Sequence, residues 1–272
     1  MAYEGELNSS DLVQRSDVDG VAKLTLNAPR SINALSEAMM AALSDTLDGI
    51  AEDRSVKAVI LRSAGDHFCA GHNLKEMTER RSDPDGGFQY FQDLFAKCSA
   101  MMLRVVCLPQ PVIAEVKGIA TAAGCQLVAS CDLAVVAEDA RFATSGVNIG
   151  LFCSTPMVAL SRNVPQKMAM EMLLLGDFLP AARVAQLGLV NRVVPRGELE
   201  ESATEMARII AKKSPVAIRT GKRAYYRQTE MALEQAYAYA GRVMAENMMA
   251  RDTEAGIDAF TRKEPMPEWT GE

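Results

Sequence analysis

Histidine is nearly absent from this chain, with only His67 and His72 among 272 residues. A zinc site wants three or four His, Cys or carboxylate ligands, so two imidazoles and no CxxC pair argue against one. The cysteines, Cys69, Cys98, Cys107, Cys125, Cys131 and Cys153, stand singly in apolar surroundings and read as buried, reduced thiols. A basic excess is missing too. The net charge is −6, which argues against nonspecific nucleic-acid or membrane-surface binding while leaving room for an anionic ligand at a local positive cluster. No apolar run approaches the ~20 residues of a membrane span. Residues 1–11 are polar and acidic, with neither a basic-then-apolar leader nor an Arg-rich transit pattern, so the expected location is cytoplasmic. There is no internal repeat and no linker-like stretch. One domain with a small appendage is therefore expected.

A chain of this length buries roughly three-quarters of its unfolded surface, and its patterning alternates strand with helix. Two short alternating segments flank Asp17-Val18-Asp19-Gly20, whose Asp-Gly step favours a tight hairpin. Ser36 is a good N-cap. Met39, Leu43, Leu47 and Ile50 then recur at helical spacing, so residues 37–52 read as an amphipathic helix. Residues 56–61, 112–116 and 133–137 read as strands. Residues 74–81, 88–106 and 123–130 read as helices. Beyond Met168 the pattern is nearly all helix, with Ser214-Pro215 opening one helix and residues 235–251 forming another. The Met- and Tyr-rich stretch from Met231 to Met249 reads as packing against the core or a neighbouring subunit.

Two loops concentrate the chemistry. Asp66-His67-Phe68-Cys69-Ala70-Gly71-His72-Asn73-Leu74-Lys75-Glu76-Met77 follows one strand. Gly118-Ile119-Ala120-Thr121-Ala122-Ala123-Gly124-Cys125-Gln126 follows another and opens a helix. Small residues admit a ligand close to the backbone, and the first amides of a helix point outward, unpaired, at the positive end of its dipole. That is how an oxyanion hole is built. Further along lie Phe142-Ala143-Thr144-Ser145-Gly146-Val147-Asn148-Ile149-Gly150 and Ala185-Gln186-Leu187-Gly188-Leu189-Val190-Asn191-Arg192.

Together, in this order, these segments closely resemble the crotonase (enoyl-CoA hydratase/isomerase) superfamily over nearly the whole chain. The resemblance implies an α/β fold, a spiral of βα turns over residues 1–195 with a C-terminal helical region over 196–272, assembled as a trimer or a hexamer of two trimers. It implies an acyl-CoA ligand, coenzyme A entering as part of the thioester rather than as a separate cofactor, with no metal. The backbone amides of His72 and Ala123 would hold the thioester oxygen. The backbone around Ile32, Ala70, His72 and Leu74, with the basic Arg30 and Lys75, would meet the CoA moiety, and Phe260 and Lys263 would close over it.

The departures bear on mechanism. Family hydratases place two glutamates around one water; here those positions hold Gln126 and Gly146, neither of which moves a proton. Ala123 also replaces a more usual glycine. His72, Glu76, Glu79 and, less favourably placed, Glu115 are the titratable groups weighed as substitutes, and Asp132 reads as fixing a strand start. Three functions stay open: an acyl-CoA enzyme with an unidentified acid or base, a non-catalytic acyl-CoA-binding protein, and a purely structural oligomer. If only the carboxylates were lost, Gln126→Glu with Gly146→Glu would raise hydration by orders of magnitude.

Overall fold

A computed structural model describes residues 12–272. β1 (Val13–Val18) and β2 (Val21–Leu26) pair antiparallel, with Val18 opposite Val21. Asp19 and Gly20 between them take φ of 52° and 76°, the left-handed pair that a two-residue hairpin of matching twist requires. From β2 onward the sheet is parallel. It runs β1-β2-β3-β4-β6-β9, with β3 at Ala58–Ser63, β4 at Val112–Val116, β6 at Leu133–Ala137 and β9 at Arg192–Val194. A second sheet joins β5 (Ile119–Thr121), β7 (Arg141–Ala143) and β8 (Leu179–Pro180).

The first helix, α1 (Glu37–Glu52), forms where its apolar spacing places it, with Ser36 Oγ accepting from the Met39 amide. It buries Met39, Leu43, Leu47 and Ile50. α2 (Leu74–Glu79) and α3 (Phe88–Cys107) follow, then α4 (Ala123–Ser130), buried along its whole length. Later come α5 (Ser154–Leu160), α6 (Gln166–Leu175), α7 (Ala181–Gln186), α8 (Leu199–Ala211), α9 (Pro215–Gln228), α10 (Leu233–Met248) and α11 (Arg251–Arg262). One large apolar cluster fills the α1, α3 and α4 side of the sheet. A second lies between the opposite face and α8, where Ile60, Ile113 and Val135 meet Leu199, Ala203 and Ala207.

The stretch beyond Met168 is not all helical, because β8 and β9 lie within it. β9 is three residues long, too short for periodicity to show, and it exists through its parallel pairing with β6 and the Asn191 side chain accepting from the Ala134 amide at 2.8 Å. The third strand starts at Ala58 rather than Val56, since its register with β2 begins at Val21 opposite Ala58. Among the described residues no helix is long and apolar enough to cross a membrane.

Candidate functional site

The two loops are zipped together backbone to backbone. The amides of Phe68 and Cys69 both donate to Ile119 O at 3.0 Å, and the Thr121 amide returns a bond to Cys69 O at 3.0 Å. Glycine makes this approach possible. A Cβ on Gly124 would lie 2.3 Å from Cys69 O, and one on Gly71, at φ +88°, would lie 3.1 Å from the Ala123 nitrogen. Gly71 thus sets His72 beside the start of α4. Neither the His72 amide nor the Ala123 amide donates to any other described residue. Two N–H groups without an acceptor thus lie near each other, one of them at a helix N-terminus where the dipole favours negative charge.

Ala122 holds this geometry at a cost. Its φ of 50° and ψ of −119° belong to a region that glycine occupies readily and that costs other residues about 1–3 kcal/mol. The bonds Ala122 N to Ala143 O and Gln126 N to Ala122 O, both 3.0 Å, keep it there. Ala122→Gly is expected to raise stability by about 1 kcal/mol, the relieved strain exceeding glycine's extra chain entropy. Urea denaturation checks this, and an unchanged or lower midpoint would show that the alanine is unstrained.

The segment around Arg30 reaches the same loops. The Ala70 amide donates to Ile32 O at 3.0 Å and the Leu35 amide to Gly71 O at 2.7 Å. Asn33, fully buried with φ 49°, accepts from the Ala28 amide at 2.8 Å and donates to Ala64 O and His67 O at 3.0 Å. It was not singled out from sequence, although asparagine's tolerance of left-handed backbone is the available signal. Arg30, Leu74 and Lys75 are exposed. Phe260 and Lys263 are not brought in: their backbone bonds are local to the end of α11, as in Lys263 N to Phe260 O at 3.2 Å.

Of the titratable groups weighed against the missing carboxylates, Glu76 is held by hydrogen bonds, while the His72 ring and Glu115 are buried and Glu79 is exposed. The ring nitrogens of His72 are buried, the ring lies edge-on to Phe95 at 5.5 Å, and burial pushes its pKa down against a smaller opposing pull from the Leu35 backbone. The imidazole is a packed, neutral ring, and its backbone is the free polar group. Glu76 accepts from the Glu37 amide at 3.1 Å and from Asn73 Nδ2 at 3.0 Å. It joins the starts of two helices. Glu79 is exposed. Glu115 is buried on the α8 side of the sheet, in line with Ile113, and burial pushes its pKa up despite the nearby Arg62.

Gln126 is buried on α4, and its Oε1 has no hydrogen-bond partner. Gly146 is a closed position rather than an empty one. A Cβ there would meet Leu151 O at 2.3 Å and Cys153 Sγ at 2.8 Å, because the chain turns back so that the Leu151 amide donates to Gly146 O at 3.0 Å. A side chain at position 146 would therefore require the returning chain at Leu151 and Cys153 to move. Beside it, Thr121 Oγ1 and Ser145 Oγ share a hydrogen bond at 2.8 Å, tying the strand before Ala123 to the Gly146 loop. No sequence signal links two hydroxyls 24 residues apart.

The chain matches the family model described as enoyl-CoA hydratase/isomerase over residues 17–272. It is 43% identical over 252 residues to enoyl-CoA hydratase domain-containing protein 3, mitochondrial, of Rattus norvegicus, covering 93% of this chain and 82% of that protein. Its structure is similar to a Mycobacterium smegmatis enoyl-CoA hydratase, with a TM-score of 0.91 and 52% identity over 94% of this chain and 98% of the other. Human enoyl Coenzyme A hydratase domain-containing protein 3 gives a TM-score of 0.89 and 41% identity over 94% and 99% of the two chains. The expected cytoplasmic location is overturned by these relatives, since the rat protein is named mitochondrial. Compartments are assigned by receptors that read an address, and an acidic opening segment, here outside the described residues, does not decide one.

Proposed function

The chain belongs to the enoyl-CoA hydratase/isomerase family, with the crotonase fold, and on that premise we propose that it binds an acyl-CoA thioester and seats the thioester oxygen between the backbone amides of His72 and Ala123. The observation that supports this reading is the pair of acceptor-free N–H groups that Gly71 sets near each other. Negative charge grows on that oxygen when the α-carbon becomes enolate-like, so fixed donors aimed at it favour the transition state over the ground state. Arg30 and Lys75 supply positive charge for the CoA phosphates, and Ile32, Ala70 and Leu74 supply backbone near the adenine.

Ordinary enoyl-CoA hydration is not the activity we assign. General acid–base help is worth ~10²–10⁴ per group, and Gln126 and Gly146 supply none. A second reading, a non-catalytic acyl-CoA-binding protein, is favoured by the closed Gly146 position. Vibrational spectroscopy on a ¹³C-labelled acyl-CoA separates carbonyl seating from turnover. We expect the bound carbonyl stretch to move to lower frequency, as two donors polarise the bond. An unshifted stretch in a protein that binds CoA would sink the oxyanion assignment. Turnover of any member of an acyl-CoA panel would then decide between enzyme and binding protein.

Completion of the site by a second subunit is part of the proposal. Tyr237, Met244, Met249 and Phe260, all in the C-terminal helical region, are 75%, 70%, 85% and 76% exposed. An apolar face of this kind marks an interaction surface. A trimer or hexamer in sedimentation is the expected state, with Phe260 and Lys263 reaching a neighbour's CoA; a monomer at all concentrations would remove both residues from the site.

A further inference from the structure

A groove of about 500 Å³ opens between the C-terminal end of α3 and one face of α9. One wall is apolar, formed by Val106, Leu108 and Pro109; the other carries Arg219, Arg223 and Arg227. Spacing of four residues puts the three guanidiniums on one helix face. No carboxylate lines the groove among the described residues, although the chain as a whole carries net charge −6.

None of the three arginines is neutralised by an acid. Arg223 has no partner among the described residues. Arg219 donates only to Gly271 O at 3.2 Å, and Arg227 lies over the Tyr239 ring at 5.0 Å. Lys222 and Tyr226, on the same helix, are taken up by Asp132. The carbonyl end of α3 would by itself disfavour an anion. Lys222 Nζ offsets this by donating to Val105 O at 3.3 Å and Gln110 O at 3.1 Å.

We propose that this groove binds a fatty carboxylate at a site separate from the thioester-binding loops. The head group would lie in the guanidinium forks of Arg223 and Arg227, a planar and charge-assisted match. The aliphatic tail would run along Val106, Leu108 and Pro109, leaving water for an apolar wall. The volume falls in the range of small-molecule sites, ~300–1,000 Å³. A bare carboxylate would forgo the apolar wall, and a neutral tail would leave the guanidiniums unmatched.

Cys107 sits in the same groove and is exposed, whereas the other cysteines are buried. Its alkylation by iodoacetamide, followed by peptide mass spectrometry on the full chain, therefore reports occupancy. Saturating dodecanoate is expected to slow the reaction about tenfold, while acetate and dodecanol at the same concentration do not. Arg223→Ala with Arg227→Ala should raise the dodecanoate concentration for half protection by about tenfold or more. Both side chains are on the surface, and an unchanged melting temperature confirms folding. Protection that survives saturating CoA supports a separate site. Equal protection by dodecanol, wild-type protection in the double variant, loss of protection with CoA, or a Cys107 already unreactive without ligand would each overturn the proposal.

Discussion

Gly146→Glu is expected to unfold the 145–153 loop rather than return a carboxylate to the site. The new Cβ would be placed 2.3 Å from Leu151 O and 2.8 Å from Cys153 Sγ. Real carbon–oxygen contacts do not close to that distance, and the first obstacle is backbone, which cannot rotate aside. Overpacking of this kind costs about 1–3 kcal/mol, and a buried unpaired charge adds several more. Gly146→Ala isolates the first term, because it adds the methyl without the charge. We therefore expect a clear loss of stability in Gly146→Ala by urea denaturation and a larger loss, with poor soluble yield, in Gly146→Glu. Gln126→Glu alone should fold, since its side chain already occupies a buried slot, with the new carboxyl pushed toward its neutral form by burial. The double variant should gain no hydration of crotonyl-CoA. A well-folded double variant with hydration raised by orders of magnitude would show that the loop yields and that only the carboxylates were missing.

Asp132→Ala is expected to be the most destabilising single change outside the loops, by about 3–5 kcal/mol. Asp132 Oδ2 accepts from the Val112 amide at 2.7 Å and from Lys222 Nζ at 2.6 Å, and Oδ1 accepts from Tyr226 OH at 3.0 Å. The Lys222 and Asp132 side chains are only 8% and 15% exposed. Removing the carboxylate strands a buried ammonium, a phenol and a strand-opening amide together. The same charge, added to burial, is why the Tyr226 hydroxyl titrates well above its ordinary range. Lys222→Met should cost less than Asp132→Ala, because the carboxylate keeps two donors. A double-mutant cycle read from denaturant midpoints checks the coupling. Near-additive small losses would mean that α9 is held by its apolar contacts instead.

Much of the scaffold was readable residue by residue. The α1 boundaries follow from Ser36 and the spacing of Met39, Leu43, Leu47 and Ile50, because capping and amphipathic packing act within one or two turns. The β1–β2 hairpin follows from Asp19-Gly20, and α4 from small residues after a strand. β5, β7 and β9 were not readable, since three residues carry no period and their stability comes from partners distant in the chain. Among the titratable candidates, the sequence could not show that Glu76 is occupied by two helix starts or that the His72 ring is sealed against Phe95.

What the sequence determined by itself was local: the βα order, the glycines and small residues that let two loops meet, and the uncharged residues at positions 126 and 146. Those are properties of residue type and near spacing, and chemistry constrains them before any folding. Tertiary structure alone decided whether the missing carboxylates left room behind them. Gly146 is filled by the returning chain at Leu151 and Cys153, while Gln126 keeps a buried amide oxygen without a partner. Close packing makes that difference, since an interior position belongs to whichever atoms reach it first, and those atoms are set by the fold.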